Sequence, residues 1–271
     1  MRVLINFLVY SNIFVSICAL SLTLSTEILL NTSNTQIAQF VFFATLCTYN
    51  FQRFFRREKK ISSEKSKWVR KNRVSLIITC IFSAVMSLVY FLDFQIKTQI
   101  TVLFSALICV LYPFYLRNNP YVKIYLISFL WMISTVLLLV FENNILINQD
   151  IFFHSLSRLL FVFAIAIPFD IRDLQEDNPS LKTIPFVLGE KKAKMISISA
   201  LIVLVIISLL QYSSGELKAN LLFAIILLSV IASLFIAQSN QKKREIYFSF
   251  WIESLSILFF LLLFLFSFIG S

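Results

Sequence analysis

The 271-residue sequence has little of what soluble domains use freely. Glycine occurs three times, histidine occurs once, and charged residues make up only 14% of the chain. Hydrophobic residues reach 59%, above the roughly 45–50% of an average soluble domain. This composition excludes an ordinary soluble domain and indicates a membrane protein.

The cysteines and the histidine offer no obvious metal or disulfide site. No Cys-x-x-Cys pair occurs, so we interpret the cysteines as packing residues. The histidine, His154, lies four residues before Arg158 and shares a helical face with it. A buried pairing role for His154 is favoured over metal binding, which needs more ligands. The four cysteines are Cys18, Cys47, Cys80 and Cys109.

Apolar runs of roughly 16 to 24 residues, each long enough to cross a bilayer, dominate the chain. They predict an all-α, polytopic bundle of about nine transmembrane helices that forms a single domain over residues 1–271. The second and sixth runs are short and continue directly into polar segments. The predicted spans are 3–24, 36–51, 74–92, 99–116, 122–141, 151–167, 195–212, 219–237 and 246–269.

The basic residues that give the net charge of +10 are concentrated in certain loops, and this pattern does not suggest a nucleic-acid-binding face. All lysines and arginines except Lys97, Arg158 and Lys218 lie before span one, or in or at the edge of the connections between spans two and three, four and five, six and seven, or eight and nine. The positive-inside rule therefore predicts a cytoplasmic N-terminus. We expect a multi-pass protein of a bacterial cytoplasmic membrane that has no nucleic-acid partner. The cationic, aromatic loop 52–73 is typical of a segment that contacts anionic membrane lipid.

The only acidic cluster in the chain lies at residues 167–177. If this segment is helical, Asp170, Asp173 and Asp177 lie within about 60° of one another on one face. Three such carboxylates favour a cation, and magnesium suits oxygen ligands that leave positions for water and phosphate. The spacing alone leaves a second interpretation open, a solvated charged turn after a membrane helix.

Further polar residues lie within span six and at the end of span four. Arg158 lies deep in span six, where a charge is costly and marks either a functional cavity or an ion pair. We expect its partner to be Glu253, the only acid inside span nine. Tyr112 and Arg117 end span four, where they could also serve as anchors at the membrane interface.

Residues 170–193 carry a pattern that points to a family. Acids occur at Asp170, three residues on and seven residues on, and Lys182-Thr183, an Ile-Pro pair and a Gly-Glu-Lys-Lys run follow. This block resembles the second aspartate motif of the UbiA superfamily of intramembrane prenyltransferases. The nine spans, the Tyr-Pro pair ending span four and Glu253 fit the same family.

The resemblance implies a helical bundle around a central cavity, with two aspartate motifs facing each other across its cytoplasmic mouth. It implies magnesium as cofactor, an isoprenyl diphosphate donor and a lipophilic or aromatic acceptor. By this resemblance Asp170, Asp173 and Asp177 hold magnesium, while Lys182 and Arg117 neutralise the diphosphate. Tyr112 and Arg158 are further candidates for substrate binding.

The first aspartate motif departs from the family pattern Asn-Asp-x-x-Asp-x-x-x-Asp. Aligning its asparagine with Asn50 places two phenylalanines and Glu58 at the acidic positions. Arg53 and Arg57 instead stand three and seven residues after Asn50. We hypothesise that Asn50 and these guanidinium groups contact the diphosphate directly.

Two functions of different classes stay open at this point. One is a prenyltransferase, and the other is a non-catalytic protein that binds or carries an isoprenoid or another amphiphile. Phosphatidyl transfer is disfavoured, because the Asp-Gly-x-x-Ala-Arg segment of that family is absent. The sequence identifies neither the acceptor, the donor length nor the oligomeric state.

Overall fold

The computed structural model describes residues 2–55, 64–112, 114, 121–174 and 181–268, and its regular structure is helical throughout. The chain order is α1 Arg2–Tyr10, α2 Ile13–Leu29, α3 Thr35–Phe55, α4 Glu64–Lys71, α5 Arg73–Asp93, α6 Ile96–Leu111, α7 Val122–Met132, α8 Leu138–Glu142, α9 Gln149–Asp173, α10 Ile184–Leu188, α11 Glu190–Ser213, α12 Ala219–Gln238 and α13 Ser254–Ser267. Two π-helical segments, Ile133–Leu137 and Tyr247–Ile252, join α7 to α8 and precede α13.

Six of the helical stretches are long and apolar enough to cross a membrane. A seventh candidate is the bent pair formed by α1 and α2, whose axes differ by 73°. The remaining predicted spans correspond to α3 and to the 16-residue helix α6. An all-helical, multi-pass membrane bundle is therefore confirmed, whereas spanning by α3 and α6 stays a prediction.

The run predicted as the first span, residues 3–24, is interrupted by a sharp bend in the structure. Helix α1 ends at Tyr10 and α2 begins at Ile13, and the junction residue Asn12 has φ of 65°. This left-handed conformation is one that asparagine tolerates better than most residues. Hydropathy could not reveal the break, since apolar residues continue on both sides of it.

Helix α9 lies at the centre of the fold, with α7 and α11 packed against it. Its interior contains Pro168, which has no N–H to donate to the carbonyl of Ala164 one turn earlier. The hydroxyl of Ser197 on α11 donates to that carbonyl instead, at 2.7 Å. Helix α11 thereby supplies the missing hydrogen bond immediately before the acidic end of α9.

Helix α4 lies against the amino-terminal end of the bundle. The Trp68 ring contacts Phe7 at 5.9 Å and Tyr10 at 5.8 Å between centroids. Lys65 forms a 2.8 Å ion pair with Glu245, which precedes the π-helical segment before α13. These contacts hold α4, part of the cationic segment 52–73, beside the end of α1 and the start of the Tyr247–Ile252 segment.

Candidate functional site

The carboxyl-terminal turn of α9 places two of the predicted acids together. The helix continues through Asp173, so Asp170 and Asp173 lie one turn apart, about 60° from each other around the axis. The third acid, Asp177, lies outside the described residues, as do Arg57, Arg117 and Glu58. The helical spacing is therefore confirmed for the first two aspartates only.

Asp170 is buried and paired with a lysine that the sequence analysis did not assign to the site. Its side chain is 4% exposed, and its Oδ1 lies 2.7 Å from Nζ of Lys123, near the start of α7. A small cavity adjoins this pair. The N–H of Tyr121 donates to the carbonyl of Leu181 at 3.1 Å, tying the start of α7 to the segment after the acidic motif.

Lys182 lies next to that link. Its side chain is exposed, and its φ of 44° is unusual for a lysine. A few residues on, Gly189 has φ of 81° where α10 turns into α11, a conformation that favours glycine. The Gly-Glu-Lys-Lys run thus forms the corner that follows the acidic motif.

Asp173 is held by its neighbour Arg172. The Arg172 Nε donates to Asp173 Oδ1 at 2.7 Å, and Nη2 donates to Oδ2 at 3.2 Å. The guanidinium also lies 5.1 Å and 5.7 Å from the ring centroids of Phe169 and Phe248. Glu245 and Glu253 interact electrostatically with this same arginine. Arg172 therefore forms an ion pair with Asp173, and Glu245 and Glu253 add further electrostatic contributions.

Replacing Arg172 by glutamine should lower the free energy of unfolding by about 1–2 kcal/mol, because a mostly buried carboxylate loses a forked partner. Thermal unfolding in detergent measures the effect. Arg172→Lys should recover only part of it, since an ammonium cannot fork onto both oxygens. Lys65→Gln is the matched control; its pair with Glu245 is exposed and should contribute less than about 0.5 kcal/mol. Equal losses in both variants would contradict a special role for Arg172.

Asn50 and Arg53 occupy the junction of α1 and α2. Asn50 is fully buried; its Nδ2 donates to the carbonyls of Ser11 and Leu46, and its Oδ1 accepts from Asn12. Arg53 donates to the carbonyl of Tyr10 and to Oδ1 of Asn12. Both side chains thus stabilise the helix break, whereas the sequence hypothesis placed their polar groups on diphosphate.

Tyrosine and tryptophan groups from several helices meet inside the bundle. The hydroxyl of Tyr49 on α3 lies near the indole of Trp131 on α7 and interacts electrostatically with Glu253 and with Tyr112 at the end of α6. The thiol of Cys18 donates to the backbone carbonyl of Glu253 at 3.3 Å. Tyr112 and Glu253 are therefore brought close to one interior region.

The predicted pair between Arg158 and Glu253 is wrong. Arg158 donates from Nη2 to the hydroxyl of Thr26 on α2 at 3.0 Å, and its guanidinium lies 5.1 Å from the ring of Phe259. His154 is buried beside the same hydroxyl, at 3.5 Å. Arg158 precedes Asp170 by twelve residues, about 18 Å along the helix. The fold does not bring Arg158 together with the aspartates.

The donor set at the end of α9 fits magnesium by its chemistry. Within the described ranges no three acids, cysteines or histidines converge on one point. Magnesium, however, commonly uses only one or two protein carboxylates and takes water and phosphate for its other positions. Asp170 and Asp173 are two such carboxylates, and Lys123 and Arg172 balance their charge.

Sequence reasoning missed three residues that the fold makes important. Lys123 was counted only among the loop cations, and Asn12 and Thr26 were not singled out. Asn12 gave a signal, because an amide inside an apolar run must find partners. Lys123 and Thr26 gave none, since their roles depend on which helix packs opposite them.

Comparisons with known proteins agree with this architecture. The model of the UbiA prenyltransferase family matches residues 66–257, a segment that contains the α9 aspartates and begins after Asn50 and Arg53. No curated protein sequence matches the chain significantly.

Solved structures match nearly the whole chain at low identity. A UbiA homolog from Archaeoglobus fulgidus bound to GPP and Mg2+ has a TM-score of 0.69 at 14% identity, covering 96% of this chain and 99% of its own. A structure described for digeranylgeranylglyceryl phosphate synthase has a TM-score of 0.63 at 19% identity, covering 98% of both chains. The apo UbiA homolog from Aeropyrum pernix K1 has a TM-score of 0.61 at 13% identity, covering 98% of both. The protein is therefore an integral multi-pass membrane protein that belongs to the UbiA prenyltransferase family.

Proposed function

We propose that this protein is a magnesium-dependent transferase that moves an isoprenyl group from an allylic diphosphate to a lipophilic or aromatic acceptor. One observation carries the proposal: two carboxylates one turn apart end the central helix, each paired with a cation. The homolog from Archaeoglobus fulgidus, which has the same fold, is bound to GPP and Mg2+ in one structure and to DMAPP and Mg2+ in another.

Asp170 and Asp173 would hold the metal, and Asp177 is proposed as a third ligand from its spacing. Magnesium, when bound, neutralises negative charge on the diphosphate. Lys123 and Arg172 lie beside these carboxylates and supply the remaining positive charge for phosphate oxygens. Lys182, exposed on the segment after the motif, and Arg117 are proposed to bind the outer phosphate.

The reaction breaks the allylic C–O bond, and the electron pair leaves with the diphosphate. The positive charge left on carbon requires apolar and aromatic walls that exclude water. Trp131, Tyr49 and Tyr112 are proposed to line this region, because they gather inside the bundle near Glu253. The acceptor then forms the new bond to carbon and loses a proton.

The arrangement in the membrane is also part of the proposal. The chain forms one domain with nine spans, which include the helices α3 and α6. The end of α9 that carries Asp170 and Asp173 faces the cytoplasm, since the cation-rich loops lie at that end. The donor would thus enter from the aqueous side and the acceptor from the bilayer.

A second function is favoured by one observation. Asn50 and Arg53, at the place of the first aspartate motif, form hydrogen bonds within the α1–α2 junction. A protein that lacks the first metal site could bind an isoprenoid or another amphiphile without transferring it. Such a binder should keep its affinity when Asp170 and Asp173 are replaced.

The deciding experiment is a turnover assay of the purified protein in detergent or nanodiscs. DMAPP and GPP are supplied with magnesium and extracts of membrane lipid as acceptor, and diphosphate release is measured. We expect release that requires magnesium and stops with excess chelator. Binding of donor with no release, unaffected by chelator, would favour the binder and contradict the transferase.

A further inference from the structure

Glu253 is an interior carboxylate that lacks a direct partner. It follows the π-helical segment Tyr247–Ile252 and is half-buried. Within the part of the chain that the structure describes, its carboxylate forms no hydrogen bond and no ion pair. Arg172 and Lys65 attract it from a distance, but each of them is paired with another acid. A carboxylate at membrane depth is costly and marks a functional site by default, and a bound molecule can reach this one because it is partly accessible.

Glu253 lies one turn farther into the bundle than the groups at the aspartate end. The N–H of Glu253 donates to the carbonyl of Phe248 at 3.2 Å, which closes one π-helical turn. The Phe248 ring lies 5.7 Å from the guanidinium of Arg172, which in turn holds Asp173. The carboxylate is therefore just inside the proposed diphosphate site, on the side where the carbon chain of a donor would continue into the bundle.

Aromatic groups from three other helices lie nearby. Tyr49 on α3 interacts electrostatically with Glu253 and lies near Trp131 on α7 and Tyr112 at the end of α6. All three rings are half-buried, so a bound molecule can reach them too. Trp131 lies just before one π-helical segment and Glu253 directly after the other, and such segments are frequent at functional sites. Aromatic faces together with a carboxylate are groups that attract a cation.

We propose that Glu253 is a further catalytic residue, whose carboxylate lies against the allylic carbon and stabilises the positive charge that develops there. This role rests on the proposed function. When the allylic C–O bond breaks, its electron pair leaves with the diphosphate, and the carboxylate balances the charge on carbon without bonding to it. A cation beside a carboxyl group favours the ionised form, so the negative charge is present when it is needed. The acceptor then bonds to that carbon, and its proton passes to the released diphosphate.

The binding test uses the full-length protein in detergent, with magnesium and inorganic diphosphate present. The probes are dimethylgeranylammonium, which carries a positive charge beside the allylic carbon, and geranyl methyl ether, which has the same tail but no charge. In a thermal-shift titration we expect the ammonium to bind at least about tenfold more tightly than the ether, because a carboxylate and aromatic faces attract the cation. Equal binding of the two probes by the wild-type protein would overturn the proposal.

Glu253→Gln keeps the size of the side chain and removes its charge. It should reduce the preference for the ammonium to about twofold or less and leave the affinity for the ether unchanged. Glu216→Gln, an exposed acid in the turn after α11, is the matched control and should bind both probes like the wild-type protein. A preference that Glu253→Gln leaves intact would contradict the role of Glu253.

Glu253→Asp keeps the test decisive if Glu253→Gln fails to fold. The aspartate retains the charge but withdraws it by one methylene group, so the preference for the ammonium should fall by about threefold. An unchanged preference in Glu253→Asp would then overturn the proposal.

A turnover measurement separates this role from the proposed function. Glu253→Gln should slow single-turnover release of diphosphate from GPP by about 10²-fold, because a group that stabilises developing charge is lost. The magnesium concentration that gives the half-maximal rate should stay that of the wild-type protein, since Glu253 contacts carbon and not the metal. Wild-type release that Glu253→Gln leaves unchanged would overturn the role of Glu253 and leave the proposed function intact. No release by the wild-type protein would contradict the proposed function, and the two binding probes would then decide alone whether Glu253 holds a cation.

Discussion

Asp173→Asn should reduce the rate of diphosphate release by about 10²- to 10³-fold, with little change in the amount of folded protein. The substitution keeps the size of the side chain but removes the charge that would hold magnesium at the end of α9. Loss of one preorganised group that stabilises developing charge commonly has an effect of this size. The measurement is single-turnover release of diphosphate from GPP at a magnesium concentration that saturates the wild-type protein.

The matched control is Asp93→Asn, an exposed acid at the end of α5. It removes the same charge away from the aspartates and should leave the rate of release unchanged. Retention of more than a tenth of the wild-type rate by Asp173→Asn would contradict the assignment of Asp173 to the metal. A rate restored by higher magnesium would instead support it, because weakened affinity can be overcome by concentration.

Asn50→Leu should lower the free energy of unfolding by about 2–3 kcal/mol. The leucine has nearly the same size, but it leaves the Ser11 carbonyl and the Asn12 amide without a partner in the interior. The left-handed backbone at Asn12 then loses the contacts that hold it, so α1 and α2 should separate more easily. Unfolding in mixed micelles, followed by tryptophan fluorescence, measures the effect.

Gln238→Leu, at the exposed end of α12, controls for replacing an amide by an apolar group. It should change the free energy of unfolding by less than about 0.5 kcal/mol. Asn50→Asp keeps Oδ1 as an acceptor and should recover part of the loss. If Asn50→Leu unfolds like the wild-type protein but no longer binds GPP, Asn50 belongs to the donor site and the structural role is refuted.

The motif at the end of α9 was predictable because its parts are local. Asp170 and Asp173 share a helical face through their spacing alone, and the corner at Gly189 follows from glycine's tolerance of positive φ. Partners across helices were not predictable in the same way. Arg158 donates a hydrogen bond to Thr26 and does not pair with Glu253. Asp170 forms an ion pair with Lys123, which its spacing from Asp173 did not indicate.

The residues at the place of the first aspartate motif show the same contrast between local spacing, which was predictable, and contacts between helices, which were not. The spacing of Arg53 after Asn50 correctly placed both residues on one side of α3. The spacing could not show what stands opposite, which is the broken junction around Asn12. Hydrogen bonds to that backbone depend on a bend that hydropathy does not detect.

The sequence by itself determined the membrane environment, the helical class and the acidic face of α9. These properties follow from composition and from the fixed geometry of one helix, which needs no knowledge of its neighbours. The tertiary structure decided which side chains meet: Lys123 with Asp170, Arg53 with the α1–α2 junction, and Arg158 with Thr26 beside a cavity. Such pairs join distant parts of the chain, and only the packing of helices fixes their distances.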